Sequence, residues 1–157
     1  MFFSSQSIKK SNLILAVILV AVLATWTVSG VAQGSGKNPL ILEGFLMTDE
    51  LNEEGQRTVV IEFTFSKNVV NMVVSENNSK CFKFIDKEDG NEVTLEVEMA
   101  DDQIEREKRN NINLIIKNNV ESLKTYQVIV SPGLESKSGE KLGEELVLEF
   151  MTLGIVE

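Results

Sequence analysis

Apolar and polar residues alternate with a period of two along most of the chain beyond residue 40. The clearest case is the segment at 58–66, where Val59, Ile61, Phe63 and Phe65 share one face of an extended strand. Alternation of this kind is typical of a strand that buries one face and exposes the other. It predicts further strands at 40–48, 81–86, 92–99, 112–117, 125–131 and 146–152, with another β-rich piece at 69–74.

Turn signals separate these strands. Asp89-Gly90 is a hairpin signal, and we predict loops at the charged segment 49–56 and the Gly- and Ser-punctuated segment 132–145. The segment 101–111 has one apolar residue in eleven, so a helix there would have no face to bury, and we interpret it as a solvated connection. The pattern predicts an all-β fold, an antiparallel β-sandwich of about seven strands.

Six aromatic residues are expected to pack inside this sandwich as structural residues. They are Phe63, Phe65, Phe82, Phe84, Tyr126 and Phe150. Tyr126 stands where a tyrosine corner would lie, with its ring in the core and its hydroxyl group bound to a backbone group upstream. An ordinary half-buried strand tyrosine is the alternative, and both interpretations are structural.

The N-terminal region has the order of a secretory signal. Lys9 and Lys10 precede an unbroken apolar run at 13–24, and small, increasingly polar residues follow it. Gly30 and Ala32 would suit cleavage before residue 33. Counted through residue 32, however, the apolar stretch reaches the length of about 20 residues that crosses a bilayer, so retention as an anchor stays open. In both cases the basic flank stays inside and the rest is exported.

We therefore divide the chain into three parts. Residues 1–33 are a hydrophobic helix that acts as signal peptide or signal anchor, 34–39 are a flexible linker, and 40–153 are the β-domain. The predicted location is outside the cytoplasm, either secreted or at the cell surface, with a possible tether through an uncleaved N-terminal helix.

Charge limits the choice of partners. The chain has a net charge of −9, and every acidic residue follows the apolar run. The exported part holds 13 basic and 24 acidic side chains, a net charge of −11. Such a charge repels nucleic acid and anionic lipid. We expect no nucleic-acid partner and a membrane contact only through the N-terminal segment.

Composition also excludes several kinds of chemistry. The chain has no His, which excludes His-assisted Ser or Cys nucleophiles, and with one Cys it lacks the ligands of zinc or iron sites. The single Cys81 cannot form an intramolecular disulfide. We interpret it as a small strand residue, with an intermolecular disulfide as the alternative.

Only oxygen-liking ions such as calcium remain as cofactors. The best candidate ligands are Asp86, Glu88, Asp89 and Asn91 around a Gly turn, although EF-hand spacing is missing. A second candidate is the pair Asp101 and Asp102. A solvated hairpin tip is the alternative for the first group, and we predict no other cofactor.

Two enzyme-like patterns have structural alternatives. Glu96 and Glu98 face one way on a predicted strand, at a spacing that could suit a glycosidase carboxylate pair, but a wet strand face gives the same pattern. Ser138 and Lys141 match S-x-x-K, but they lie in a Gly-rich loop rather than at the start of a helix. We predict that the protein is not an enzyme.

Four segments together resemble a known family. They are IEFTFSKNVV at 61–70, FKFIDKEDGNEV at 82–93, LKTYQVIVSPGLESKSGEKLG at 123–143 and LEFMT at 148–152. In order and spacing they are similar to the bacterial Ig-like domain of S-layer proteins of the SbsA type. The resemblance implies an Ig-like sandwich on the outside of a bacterium that acts as a spacer, structural or adhesive module, with no catalytic residues. The family pattern gives Cys81 no role.

These observations give three functional hypotheses. The leading one is a non-enzymatic exported Ig-like module with a structural or adhesive role at the bacterial cell surface, whose partner is a protein or wall polymer of the envelope. The contact would run through an unpaired sheet edge or the loops 49–57, 86–91, 101–111 and 132–145. The second is a calcium- or ligand-binding extracytoplasmic sensor on a membrane anchor. The third is an extracytoplasmic hydrolase with a carboxylate-only site.

Overall fold

Two four-stranded antiparallel sheets form a β-sandwich in the computed structural model, which describes residues 39–51, 56–117 and 120–152. The strand order is β1-β2-β6-β5 in sheet A and β4-β3-β7-β8 in sheet B. The all-β sandwich predicted from the alternating pattern is confirmed. The strands are β1 Leu42–Leu51, β2 Arg57–Phe65, β3 Phe82–Asp86, β4 Glu92–Val93, β5 Glu96–Met99, β6 Asn111–Lys117, β7 Thr125–Val130 and β8 Leu146–Met151.

The central strands alternate strictly between buried and half-buried residues. In β2, every second residue from Arg57 to Phe65 is buried, and β6 and β7 follow the same rule. Period two places these side chains on the face that meets the other sheet. The core is therefore a layer of apolar side chains between the sheets. The outer faces of these strands are more exposed and mix polar residues with apolar ones such as Val60, Ile115 and Ile129.

Aromatic rings fill much of that layer. Phe84 stacks on Tyr126 with ring centroids 5.1 Å apart and contacts Phe150 at 5.7 Å, all within sheet B. Phe63 of sheet A meets Phe82 of sheet B at 5.6 Å. All six aromatic residues expected in the core, Phe65 included, are buried.

The structure divides one segment that the sequence pattern joined. The alternation at 92–99 predicted a single strand, whereas β4 pairs with β3 in sheet B and β5 pairs with β6 in sheet A. The chain changes sheets between Val93 and Glu96, and Leu95 packs against the core there. Because an edge strand that changes sheets keeps its side-chain alternation, the period gives no sign of the change.

The prediction of β-structure at 69–74 is wrong. This segment forms bends and turns that lead into a short helix, α1 Ser75–Ser79. Val69 and Val74 are buried without being part of a strand. Asn68 explains part of the difference, because its side-chain oxygen accepts hydrogen bonds from the backbone N–H groups of Val70 and Asn71. Such local bonds offer the backbone an alternative to strand pairing.

The loops gather at two opposite ends of the sandwich, which we call the near end and the far end. The near end contains the start of the described chain at Pro39 and the loops 66–81, 100–110 and 131–145. Ser66 and Ile41 exchange hydrogen bonds there, from Ser66 N–H to the Ile41 carbonyl and from Ile41 N–H to Ser66 Oγ. The far end contains the end of β1, the start of β2, the β3–β4 turn at 87–91 and residues 120–124 before β7.

The predicted N-terminal helix at 1–33 and the linker at 34–38 lie outside the described residues. Within the described residues, no helix is long and apolar enough to cross a membrane.

Removal of one central ring tests the packing of the core. Phe84 is fully buried, so Phe84→Ala should lower the free energy of unfolding by about 3–5 kcal/mol through lost burial and the cavity left behind. Urea unfolding followed by circular dichroism measures the change. Lys83→Ala, at the exposed neighbouring position, is the control and should shift stability by less than about 0.5 kcal/mol. Equal effects of the two substitutions would contradict this account of the core.

Candidate functional site

Asp102 joins two loops at the near end. Its Oδ2 accepts hydrogen bonds from the side-chain amides of Asn68 and Asn71, both at 2.8 Å. These two bonds hold the pKa of Asp102 below its usual range, with the Asn71 bond as the larger cause. The carboxylate therefore fixes the connection 100–110 against the segment that follows β2.

Asn78 joins the near-end loop 131–145 to its own loop, 66–81. Its side chain is fully buried, and its amide nitrogen donates to the carbonyl groups of Val69 at 2.7 Å and Glu135 at 2.8 Å. Its side-chain oxygen accepts a bond from Glu135 N–H at 3.0 Å. Because a buried amide without partners is costly, these bonds favour one arrangement of the loops.

Glu140 connects two segments of the near end through its contacts with Ser136 and Lys67, which we call the Glu140 tie. Its carboxylate accepts a short hydrogen bond from the buried Ser136 hydroxyl and lies 3.1 Å from the Lys67 ammonium. The Ser136 bond, and after it the Lys67 contact, lower the pKa of Glu140 to about 2. The long loop between β7 and β8 is thus attached to the end of β2.

Three large apolar side chains protrude from this hydrogen-bonded platform. Met72 is 83% exposed, Val73 is 79% exposed and Ile104 is 79% exposed. Met72 and Val73 directly follow Asn71, and Ile104 lies two residues beyond Asp102, the residue that binds Asn71. We call these three residues the apolar tip. Sequence reasoning missed it, because Met72 and Val73 fell in a predicted strand and Ile104 was a lone apolar residue.

Tyr126 forms the corner of the far end. Its ring is buried, and its hydroxyl oxygen accepts a hydrogen bond from the backbone N–H of Glu121 at 2.9 Å. Of the two arrangements left open by the sequence, this is the tyrosine corner. Thr152 closes the same loop, because its hydroxyl donates to the Glu121 carbonyl while its own backbone exchanges bonds with Leu123 and Lys124. Leu123 has a positive φ of 60° and is 66% exposed.

Two ion pairs connect side chains at the far end. The Asp86 carboxylate lies 2.8 Å from the Lys124 ammonium, which lowers the pKa of Asp86 and raises the pKa of Lys124. Arg57 lies 2.7 Å from the largely buried Asp49 and also donates to the Ser122 hydroxyl. The Lys124–Asp86 pair and the Arg57–Ser122 bond join elements that are distant in sequence, so these charged groups fix the far end rather than remain free.

The calcium candidates have partners within the protein. Asp86 uses one carboxylate oxygen for Lys124 and the other for Glu88 N–H, and both Asp89 oxygens accept bonds from Asn91. Lys124 already supplies a positive charge beside Asp86. Among the described residues, no group of three or more acidic or Cys side chains is arranged to hold a metal ion. The candidate side chains therefore have partners other than a metal ion, and a calcium titration tests the alternative raised from the sequence.

The second calcium candidate and the enzyme-like residues lie in separate places. Asp101 accepts a bond from Gln103 N–H, and Asp102 belongs to the near-end platform. Glu96 and Glu98 are exposed on edge strand β5, where Glu96 pairs with Lys117 at 3.2 Å.

Ser138 and Cys81, two further residues with potentially nucleophilic side chains, also lie where a structural role explains them. Ser138 lies in an exposed turn, and its backbone N–H donates a hydrogen bond to the Ser136 hydroxyl oxygen. Cys81 is buried at the start of β3, where burial raises the pKa of its thiol.

A shallow groove follows the chain where it passes from β4 to β5. Its lining mixes polar and apolar groups, and Glu92 is the one ionisable side chain among the residues that line it. The lining residues are Ser79, Phe82, Glu92, Val93, Thr94, Leu95 and Val97. The groove therefore does not bring the Glu96 and Glu98 carboxylates together as a catalytic pair.

The four loops expected to make contacts fall into two groups. The segments 101–111 and 132–145 meet at the near end, whereas 49–57, of which 52–55 lie outside the described residues, and 86–91 belong to the far end. A single contact surface therefore does not include all four. Each end is instead a separate candidate surface with its own rigid support.

Comparisons with known proteins bear on the fold. No family model matches the sequence, and no curated protein does. One similar solved structure is the native conformation of E. coli alpha-2-macroglobulin, with a TM-score of 0.50 and 14% identity. The match covers 74% of this chain and 6% of that protein, so the chain corresponds to a small part of it. The likeness supports the β-sandwich fold alone.

The Glu140 tie predicts a pH dependence of stability. Its pKa is about 2 in the folded protein and near 4.5 without the tie. A lowered folded-state pKa contributes stability that is complete above about pH 4.5 and is lost as pH falls through about 2. Unfolding free energies of the wild type and Glu140→Gln should therefore converge over this range. A constant difference from neutral pH to pH 2 would contradict the prediction.

A calcium titration tests the far-end candidates. The Lys124 ammonium pairs with the Asp86 carboxylate, and Asn91 donates hydrogen bonds to the Asp89 carboxylate. Because these groups already have partners, we expect millimolar calcium to leave Tm unchanged. A ligand that binds only the folded state raises Tm, so a calcium-dependent increase would contradict this expectation. Magnesium at the same ionic strength is the control for general screening.

Proposed function

We propose that the chain is an exported, non-enzymatic Ig-like module with a structural or interaction role at the bacterial cell surface. The observation that carries the proposal is the combination of an Ig-type strand order with hydrogen-bonded loops at the near end and the Tyr126 corner at the far end. A fold alone does not define a function, so the proposal also uses the N-terminal sequence and the surfaces of the domain.

The strand order supports the Ig-like part of the proposal. An Ig constant-type domain has strands A, B, E and D in one sheet and C, F and G in the other. In chain order, β1-β2-β6-β5 corresponds to A-B-E-D, and β3-β7-β8 corresponds to C-F-G, with β4 as an additional strand beside C. Tyr126 near the start of β7 matches the tyrosine corner at the start of strand F.

The position of Pro39 at the near end indicates which end of the domain would meet a partner. The described chain begins at the near end, where Pro39 follows the linker from the predicted signal or anchor. In a tethered protein the near end would face the membrane and the far end would face the envelope. The far end presents exposed Leu123 together with Glu88 and Asp89. We infer that a protein or wall polymer of the envelope meets this end.

Export is tested by expression of the full chain in a bacterial host and N-terminal sequencing of protein from medium and membranes. We expect either a product that begins at residue 33 in the medium or an intact chain in membranes whose β-domain is cut by protease added to whole cells. The variant Val17→Arg with Leu19→Arg interrupts the apolar run and should remain inside. Intact wild-type chain in the cytoplasm would contradict the proposal.

Contact through the far end is tested separately by chemical cross-linking of envelope material to the exported chain. Leu123→Ser should reduce the cross-linked fraction several-fold, because it removes an exposed apolar group from the surface assigned to the partner. Val147→Ser, on an exposed apolar residue of β8, is the matched control and should have no effect. Equal cross-linking of all three chains would count against the far end as the contact surface.

A further inference from the structure

The apolar tip lies close to the point where the chain leaves the N-terminal segment. Ile41 is bonded to Ser66 at the end of β2, and the same loop continues to Met72 and Val73. Between the apolar run that ends at residue 24 and Pro39 lie 14 residues. Their maximum reach is about 50 Å when fully extended. A bilayer that holds the run is therefore within reach of the tip.

Charge is balanced in the two loops that carry the tip. The segments 66–81 and 100–110 together contain five basic and five acidic side chains, whereas the exported part as a whole has a net charge of −11. The acidic excess therefore lies elsewhere on the domain. Exposed Arg106 and Arg109 stand in the same loop as Ile104, and a guanidinium group suits the phosphate of a lipid headgroup. The third near-end loop, 131–145, adds two basic and four acidic side chains, so the three loops together have a net charge of −2. This end therefore holds only a small share of the charge that repels anionic lipid.

Hydrogen bonds also hold the backbone that carries the apolar tip in place. Asp102 fixes the loop of Ile104 against Asn71, and Asn71 in turn accepts a bond from Val73 N–H. Rigid presentation lowers the entropy lost when a side chain is buried at a surface. Scattered exposed apolar residues are normal on proteins, but here Met72, Val73 and Ile104 lie on two loops that the hydrogen bond between Asn71 and Asp102 joins.

We propose that Met72, Val73 and Ile104 insert into the lipid surface of the membrane from which the chain emerges. This inference rests on the proposed function, since it requires export and a tether, and it adds a second membrane contact to the N-terminal segment. Side chains of this kind enter the boundary between headgroups and acyl chains, about 5–10 Å deep. The contact would orient the domain, with the near end on the bilayer and the far end outward.

The test uses the full chain in phosphatidylcholine vesicles that contain acyl-chain spin labels. A fluorophore is attached at Met72→Cys, Ile104→Cys or Leu123→Cys, each in a Cys81→Ala background. Leu123 is the matched control, because it is an exposed apolar residue at the far end. We expect several-fold stronger quenching at positions 72 and 104 than at 123. Circular dichroism checks that each labelled chain is folded, and Val73→Cys replaces a variant that is not.

Three outcomes decide the proposal. Strong quenching at the tip, lost when the other two tip residues are changed to Ser, supports it. Equal, weak quenching at 72, 104 and 123 overturns lipid contact but leaves export and the far-end contact unaffected, because those have their own tests. Shielding of position 72 from a water-soluble quencher by envelope protein, without quenching by lipid labels, also overturns it and assigns the tip to a protein partner.

Discussion

The inner faces of the two sheets hold this protein together, and every other feature depends on that contact. Phe63 of sheet A meets Phe82 of sheet B, and Phe84, Tyr126 and Phe150 form an aromatic cluster beside them. With a single cysteine, the chain has no internal disulfide to restrict its unfolded state. Apolar burial between the sheets must therefore supply most of the free energy that orders both loop ends.

The loop ends depend on the core but are fixed by polar bonds. At the near end, Asn78 and Asp102 bind several loops at once, and at the far end Tyr126 and Thr152 close the connection before β7. These groups are buried or partly buried, so leaving them without partners would cost more than their bonds contribute. The result, for the described residues, is a sandwich whose two ends are distinct surfaces, each held by its own polar bonds.

Much of the fold could be predicted from the sequence because the strands have one wet face. In β2 the inward side chains are those of Val59, Ile61, Phe63 and Phe65, and Glu62 and Thr64 lie on the other face. The alternation in the sequence follows directly from that geometry. The segment 69–74 was different, because Val69, Val70 and Val74 are buried at the end of the sandwich by a turning backbone while Val73 is exposed. An apolar run in the sequence does not distinguish such a turn from a strand.

The surfaces were harder to predict than the strands. Which loops share an end depends on strand order, and strand order is not contained in local periodicity. The apolar tip becomes visible only when Asp102 brings Ile104 to the segment that carries Met72. By contrast, the position of Tyr126 before an alternating strand was sufficient to raise the tyrosine corner, since that motif is local.

The central claim is that the loops form two separate ends with the tip at one of them. Spin-label distances in the full chain test it most directly, with pairs at 72 and 104 and at 72 and 123. The account predicts a short distance for the first pair. The second should be longer by about 20 Å, the length of a six-residue strand such as β7. Similar distances for both pairs would contradict the arrangement.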